Sequence, residues 1–276
     1  MLDEQVSASE RVRSFVRSFT MHSQRRPPQV TGITKTTTKH DDILQSVGTH
    51  EGRFDVKTYD DLEGQSFKDV VFCAPPSGSD DYPGAVKDAA SNVWAGNKSG
   101  GTFVFTSSGA VFGGADGETV NEKSAMTDTP RAQRLIDAED ASRSNGGAVL
   151  RLAGLYLLER GAHNYWLVSG KDIAGRADGI INLLHYDDAA GACMAALKAS
   201  AGDGTFLVSD GNPLTRKEIC EVALKAKIYE GKALPKFLGA ESDPKGKVYD
   251  GSWTNEALNW KPRYASFEHF MSQHLS

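Results

Sequence analysis

The stretch GTFVFTSSGAVFGG, Gly101 to Gly114, carries a run of large apolar residues into three hydroxyls, Thr106, Ser107 and Ser108, and then into a turn rich in glycine. A hydroxyl at the end of a buried strand can hydrogen-bond a reacting oxygen. A hydroxyl at the start of a loop can equally do no more than bond its own backbone. Similar ends recur along the chain. Thr34-Lys35-Thr36 closes VTGI, Ala74-Pro75-Pro76-Ser77 closes VVFC, and Ala153-Gly154-Leu155-Tyr156 closes AVLRL. These ends are small, hydroxylic or cationic. In a doubly wound sheet, ligands sit outside the carboxyl ends of the strands, and ends of this kind suit close approach by a phosphorylated dinucleotide. Thr34, Lys35, Thr36, Ala74, Pro75, Pro76, Ser107, Ala153 and Gly154 are therefore the candidate nucleotide contacts, and Ser108 is a candidate catalytic hydroxyl. All four ends are expected to converge on one groove.

A second group follows the fourth of these ends. Arg160, His163, Tyr165 and Trp166 fall in a loop expected to clamp a polar substrate, with the packing of Tyr165 and Trp166 under a small lobe as the alternative. His185 precedes Asp187-Asp188, where it either ties loops together or meets the ligand. The seven histidines show no HxH or HExxH spacing, so no metal site is expected.

The elements that must position these residues follow from the apolar pattern. Within Leu2–Phe19 the apolar spacing is helical from Val12 onward, Pro27 and Pro28 stop any helix, and Gln29–Thr36 reads as a strand. His40–Val47 is a helix ending at Gly48, and Phe54–Asp61 a strand. Val70–Ala74 is a strand apolar enough to be buried on both faces and is ended by Pro75. Asp80–Ala95, Pro130–Ser142, Asp187–Ala199, Thr215–Ala226, Asn255–Trp260 and Ser266–His274 read as helices. Gly101–Thr106, Ala148–Tyr156 and Gly204–Asp210 read as strands. Thr215 with Glu218 three residues on is a capping box. Strands about 20 to 30 residues apart with helices between them predict an α/β, doubly wound parallel sheet. A Rossmann-like nucleotide-binding domain over residues 1–180 and a small mixed lobe over 181–276, interleaved with the main sheet, are expected.

With 276 residues, 39% of them hydrophobic, the chain can bury the core such a sheet needs. Lys plus Arg is 31 and Asp plus Glu is 36, a net charge of -5 that gives no electrostatic reason for a nucleic-acid or membrane partner. A small-molecule substrate is the expected partner, and oligomeric state is not indicated. Three cysteines without CxxC spacing fit a reducing compartment, the cytoplasm or, where a transit peptide lies upstream, a plastid.

FVFTSSGAVFGG resembles the serine motif of extended short-chain dehydrogenase/reductases of the NAD-dependent epimerase/dehydratase type. VLRLAGLY, INLLHYDDAAGACMAAL, GTFLVSDGNPLTRKEI and NWKPRYASFEHF resemble later segments of that family, in the same order. The CAPPS and LAGLY…RGAHNYWL stretches are similar to its atypical branch in plants, algae and bacteria. The resemblance implies a Rossmann fold, a nicotinamide cofactor and redox or epimerase chemistry on a small polar or sugar-like substrate. A non-catalytic nucleotide-binding or sensor module is the alternative.

Two departures count against chemistry of the family's usual kind. The G-x-x-G-x-x-G turn that receives the pyrophosphate is absent, and MLDEQV resembles its tail, with Asp3 in place of the last glycine. The expectation is that the first strand and glycine turn are missing, so that neighbouring strand edges are uncovered. The family's Tyr-x-x-x-Lys pair is also absent, with Arg131 and Leu135 at those positions. Tyr156 and Tyr165 are the available substitutes for the tyrosine, and Ser108 takes the place of the catalytic serine. No acidic residue closes the Val30–Thr34 run to hold ribose hydroxyls. Lys35 between two threonines predicts NADP in preference to NAD.

Overall fold

The computed structural model describes residues 29–47 and 54–275; the expected helix over Leu2–Phe19, Asp3 and the Gly48 stop lie outside them. The strands are β1 (Val30–Thr34), β2 (Phe54–Thr58), β3 (Val70–Phe72), β4 (Phe103–Ser108), β5 (Asp116–Val120), β6 (Ala148–Leu152), β7 (Gly154–Tyr156), β8 (Ile180–Ile181), β9 (Leu183–His185), β10 (Thr205–Val208), β11 (Leu214–Thr215) and β12 (Gly246–Tyr249). The α-helices are α1 (His40–Val47), α2 (Tyr82–Asp88), α3 (Pro130–Ser144), α4 (Ala162–Ser169), α5 (Tyr186–Ala199), α6 (Arg216–Ala223), α7 (Ser252–Ala257) and α8 (Phe267–Ser272). β3, β4, β6 and β10 form a parallel sheet in the order β10-β6-β4-β3, the α/β arrangement that the strand spacing predicts.

The chain divides into two compact units. One holds the described residues up to Thr106 with Arg134–Val149 and Ala190–Gly204; the other holds Ser107–Gln133, Leu150–Ala189 and Thr205–Ser276. In the first unit β1 and β2 pair in parallel, Val30 opposite Phe54 through Thr34 opposite Thr58. The α1 helix closes over them, with Ile43 and Val47 buried against Val30, Phe54 and Val56. β3 pairs with β4 from Val70 opposite Phe103 to Phe72 opposite Phe105. The β1–β2 pair and the sheet of β3 are separate among the described residues.

β3 is only half-buried, whereas Phe103, Val104 and Phe105 of β4 are fully buried. The expectation of burial on both faces fails because, among the described residues, β3 is the edge of its sheet. Behind it, the rings of Phe72, Tyr82 and Phe105 meet in tilted pairs 5.9–6.0 Å apart. The α2 helix starts on Asp81, whose carboxylate accepts the Gly84 N–H at 2.9 Å, and continues into a π-turn over Ala89–Val93.

In the second unit β7 pairs with β9, β5 with β12, and β11 antiparallel with β8. The single strand expected over Ala148–Tyr156 is two. The Ala153 N–H donates to Val208 O and the Gly154 N–H to Asn182 O, both at 2.9 Å, so the chain exchanges one partner strand for another between adjacent residues. The segment expected as a loop around His163 is the helix α4. His163, Trp166 and Leu167, at i, i+3 and i+4, are its buried face, and Gly170 (φ 64°) ends it in the left-handed conformation. Its buried face joins Tyr156, Ile219, Tyr229, Phe267 and Phe270 in one apolar cluster. The capping box is formed: Thr215 Oγ1 accepts the Glu218 N–H, and Glu218 Oε2 accepts the Thr215 N–H at 2.8 Å.

Candidate functional site

In the first unit, β1 ends in a hydroxyl-rich, cationic segment. Thr34 is half-buried. Its Oγ1 lies 2.7 Å from His40 Nε2 and donates to Thr36 O at 3.0 Å, which folds the chain back at the strand end. Thr36 Oγ1 donates to Thr38 Oγ1 at 3.3 Å. Lys35 is exposed, and Lys39, also exposed, pairs with Asp42 at 3.2 Å. The donor set from Thr34 to His40 thus comprises four threonine hydroxyls, two ammonium groups and an imidazole. No glycine turn for a pyrophosphate follows a strand among the described residues.

The end of β3 is fixed rather than free. Tyr82 Oη donates to Ala74 O at 2.9 Å. Arg134, from α3, donates to Pro76 O at 3.0 Å and to Ser79 O, and its guanidinium lies 5.8 Å from the Tyr82 ring centre. Carbonyls at a strand end that would otherwise need water are held by one side chain from 55 or more residues away in sequence. Pro75 and Pro76 are half-buried and Ala74 is exposed. The sequence pattern offered no signal for Arg134, because its partners are backbone carbonyls of a distant loop.

In the second unit, Ser108 ends β4 and caps the turn Gly109–Val111. Its Oγ accepts the Ala110 N–H at 3.2 Å, the local role the loop-capping alternative describes, and its own O–H remains able to donate. A Cβ on Gly109 would collide with the Tyr249 hydroxyl and ring, so the Tyr249 phenol rests on the α-carbon next to Ser108. Lys247 Nζ donates to Phe112 O, and the Phe112 ring meets the edge of Tyr249 at 6.1 Å and the Arg151 guanidinium at 4.8 Å. Asn182 holds β12 in place. Its Nδ2 donates to Lys247 O and its Oδ1 accepts the Tyr249 N–H, both at 2.8 Å. Asn182 O also takes the Gly154 N–H, and a side chain on Gly154 would press on that oxygen at 3.1 Å. Ser108 and Gly154 are thereby joined through Asn182 and β12. Ser107 and Ala153 are buried beside them in sequence. Lys247 and Tyr249 escaped the sequence reading because GKVY is too short and polar to stand out as a strand.

The other candidates lie inside. Tyr156 is fully buried, its ring edge-on to His185, Phe267 and Phe270 at 5.0–5.5 Å, and its hydroxyl has no hydrogen-bond partner. Burial, then the charges of Asp210 and Asp188, push its pKa far above the ordinary phenol range. His163 is buried and donates from Nε2 to Leu158 O at 3.0 Å, with burial lowering it to about 4, so it is neutral. His185 Nδ1 accepts the Asp187 N–H at 3.1 Å, which fits the loop-tying alternative. Trp166 is buried, Tyr165 on the next position is 51% exposed, and Arg160 lies over the Tyr186 ring. The α4 helix sends His163 and Trp166 inward and Tyr165 outward, while Arg160, before the helix, lies over Tyr186, so the four are not brought together on one face. Leu135 is buried and cannot take a catalytic lysine's part. Among the described residues no cluster of metal-binding side chains occurs, and no helix is long and apolar enough to cross a membrane.

No protein-family model matches the sequence, and no curated protein matches it significantly. Solved structures do share its fold. UDP-glucuronic acid 4-epimerase from Bacillus cereus, solved with UDP-glucuronic acid and NAD, superimposes with a TM-score of 0.72 at 16% identity, over 97% of this chain and 95% of that one. A double mutant of dTDP-glucose 4,6-dehydratase from Streptomyces venezuelae gives 0.73 at 16% identity over 97% and 93%. A functionally unknown protein from Silicibacter pomeroyi gives 0.68 at 18% over 96% and 95%. With its parallel α/β sheet, the chain shares the fold of these epimerase and dehydratase structures.

Proposed function

We propose that the protein binds a nicotinamide dinucleotide, NADP in preference to NAD, and acts on a small polar or sugar-like substrate by redox or epimerase-type chemistry. The observation that carries the nucleotide preference is the end of β1. Lys35 with Thr34, Thr36 and Thr38 offers cation and hydroxyl donors where an NAD site would present a carboxylate. Lys35 would neutralise the 2′-phosphate, and the Thr38 hydroxyl, which accepts from Thr36 and keeps its own proton, would donate to its oxygens. When bound, the cofactor supplies or accepts hydride. Ser108 donates a hydrogen bond to the substrate oxygen. The neighbouring epimerase and dehydratase, each solved with NAD, support the class of chemistry through the shared fold.

One observation favours the second reading, a binding module without turnover. α3 carries the buried Leu135 where a catalytic lysine would lower a tyrosine's pKa. Following NADPH absorbance with a panel of aldehydes, ketones and nucleotide sugars separates the two. Consumption of NADPH with any of them establishes the enzyme. Tight NADP binding with neither NADPH consumption nor, by NMR of the sugars incubated with NADP, any epimerised product across the panel establishes the module.

A further inference from the structure

The geometry points to Ser108 and Tyr249 as a two-donor clamp for one oxygen, carbonyl or hydroxyl, of a small-molecule ligand, with Lys247 and Asn182 as its positioning residues. The inference deepens the proposed function by naming the group that stands in for the missing tyrosine, and it rests on that reading only for the ligand's class.

Three features place Tyr249 there. First, its hydroxyl lies against the α-carbon of Gly109, the residue after Ser108. Only a glycine leaves room for it. Second, the strand bearing it is held on both sides. β12 pairs with β5, Tyr249 opposite Val120, and the Asn182 side chain bridges Lys247 O and the Tyr249 N–H. A buried amide with both hydrogen bonds made is a rigid support. Third, Lys247 and Tyr249 both reach Phe112: Lys247 Nζ donates to the Phe112 carbonyl, and the Tyr249 ring meets the Phe112 ring edge-on.

The chemistry differs from that of a tyrosine–lysine couple. Lys247 is spent on the Phe112 carbonyl and fixes the turn after Ser108. Burial alone pushes the Tyr249 phenol up to about 12, with no cation opposing it. At neutral pH the group is a protonated donor. It holds or polarises an oxygen and gives up a proton to one that becomes negative, but it is not a base that takes protons from alcohols.

The test uses the full chain labelled with tyrosine carbon-13 at Cζ. Glycolaldehyde, hydroxyacetone, glucose and UDP-glucose are titrated without cofactor, and each affinity is read by calorimetry. At least one of these probes is expected to shift the Tyr249 resonance. For that probe Tyr249→Phe and Ser108→Ala are each expected to weaken binding about tenfold, and the two losses together to fall short of their sum because both donors serve one oxygen. Tyr59→Phe, an exposed tyrosine outside the site, is expected to leave binding unchanged. Silence of the Tyr249 resonance with every probe, or binding by Tyr249→Phe equal to the unaltered protein, overturns the clamp. NADP titrated separately distinguishes that result from failure of the nucleotide reading.

Discussion

Asp210 and Asp188 set an unusual dependence of stability on pH. Asp210 is buried; its Oδ1 accepts the Asn212 N–H at 2.9 Å, and its Oδ2 has no partner. Burial is the largest influence on it. The Asn212 and Phe267 backbone N–H groups pull the other way, Asp188 pushes it further up, and the result is about 7. Asp188 accepts the Arg263 N–H at 2.6 Å and the Tyr264 N–H at 3.1 Å, yet burial still raises it to about 6. A carboxyl with a raised pKa binds its proton more tightly folded than unfolded, so its charge costs stability above that pKa. The protein is expected to gain stability as pH falls from about 8 towards 4. The gap between an ordinary 3.8 and about 7 sets a ceiling of about 4 kcal/mol for Asp210. His163, held at about 4 by burial, opposes this as pH falls below its ordinary 6.5, and carboxylates held low, such as Glu218 by Thr215, oppose it as pH falls through their unfolded value of about 4.5. Urea unfolding at pH 8 and pH 5 measures the effect. The unaltered protein should be more stable at pH 5 by roughly 1–3 kcal/mol, the carboxyl gain exceeding the His163 loss. Asp210→Asn keeps the acceptor for Asn212 without the charge, so it should be more stable at pH 8 by about 2 kcal/mol and much less sensitive to pH. A protein that loses stability on acidification to pH 5, or an Asp210→Asn variant with an unchanged pH profile, would refute the reasoning.

Arg134→Met should free the Pro76 and Ser79 carbonyls and cost about 1–3 kcal/mol in chemical denaturation, with faster hydrogen exchange in residues 76–80. Gly109→Ala should drive the Tyr249 ring off its seat, seen as a large shift of the Tyr249 Cζ resonance with the fold retained by circular dichroism. Asn182→Ala should cost about 2–3 kcal/mol of unfolding free energy, because it leaves the Lys247 carbonyl and Tyr249 N–H without their partner. Thr215→Ala should cost about 1 kcal/mol through the capping box alone.

Much of the scaffold is written in local pattern. VVFCAPP and FVFTSS announce β3 and β4 through continuous apolar character, and Thr215 with Glu218 announces the start of α6 through a contact three residues long. What local pattern cannot show is which residues meet. AHNYWLVS carries a helical apolar face in His163, Trp166 and Leu167, but its polar and aromatic types suggested a ligand clamp before packing assigned them to the core. Tyr156 closes a strand as an active-site tyrosine would, yet three aromatic rings from elsewhere cover it. Lys247 and Phe112 are 135 residues apart, and Asn182 and Lys247 are 65 apart. Those meetings are decided by the sheet, so the support of Ser108 became visible only in three dimensions. The position of Ser108 at the end of β4 was legible because the apolar run before it and the glycine after it are both local.

The central claim is that the end of β1 receives a nucleotide bearing a ribose phosphate. Calorimetric titration of the protein with NADP and with NAD, beside the Lys35→Ala variant, tests it most directly. NADP is expected to bind at least about tenfold more tightly than NAD, with Lys35→Ala removing most of that difference. NAD binding as tightly as NADP or more tightly, or no binding of either, would contradict it.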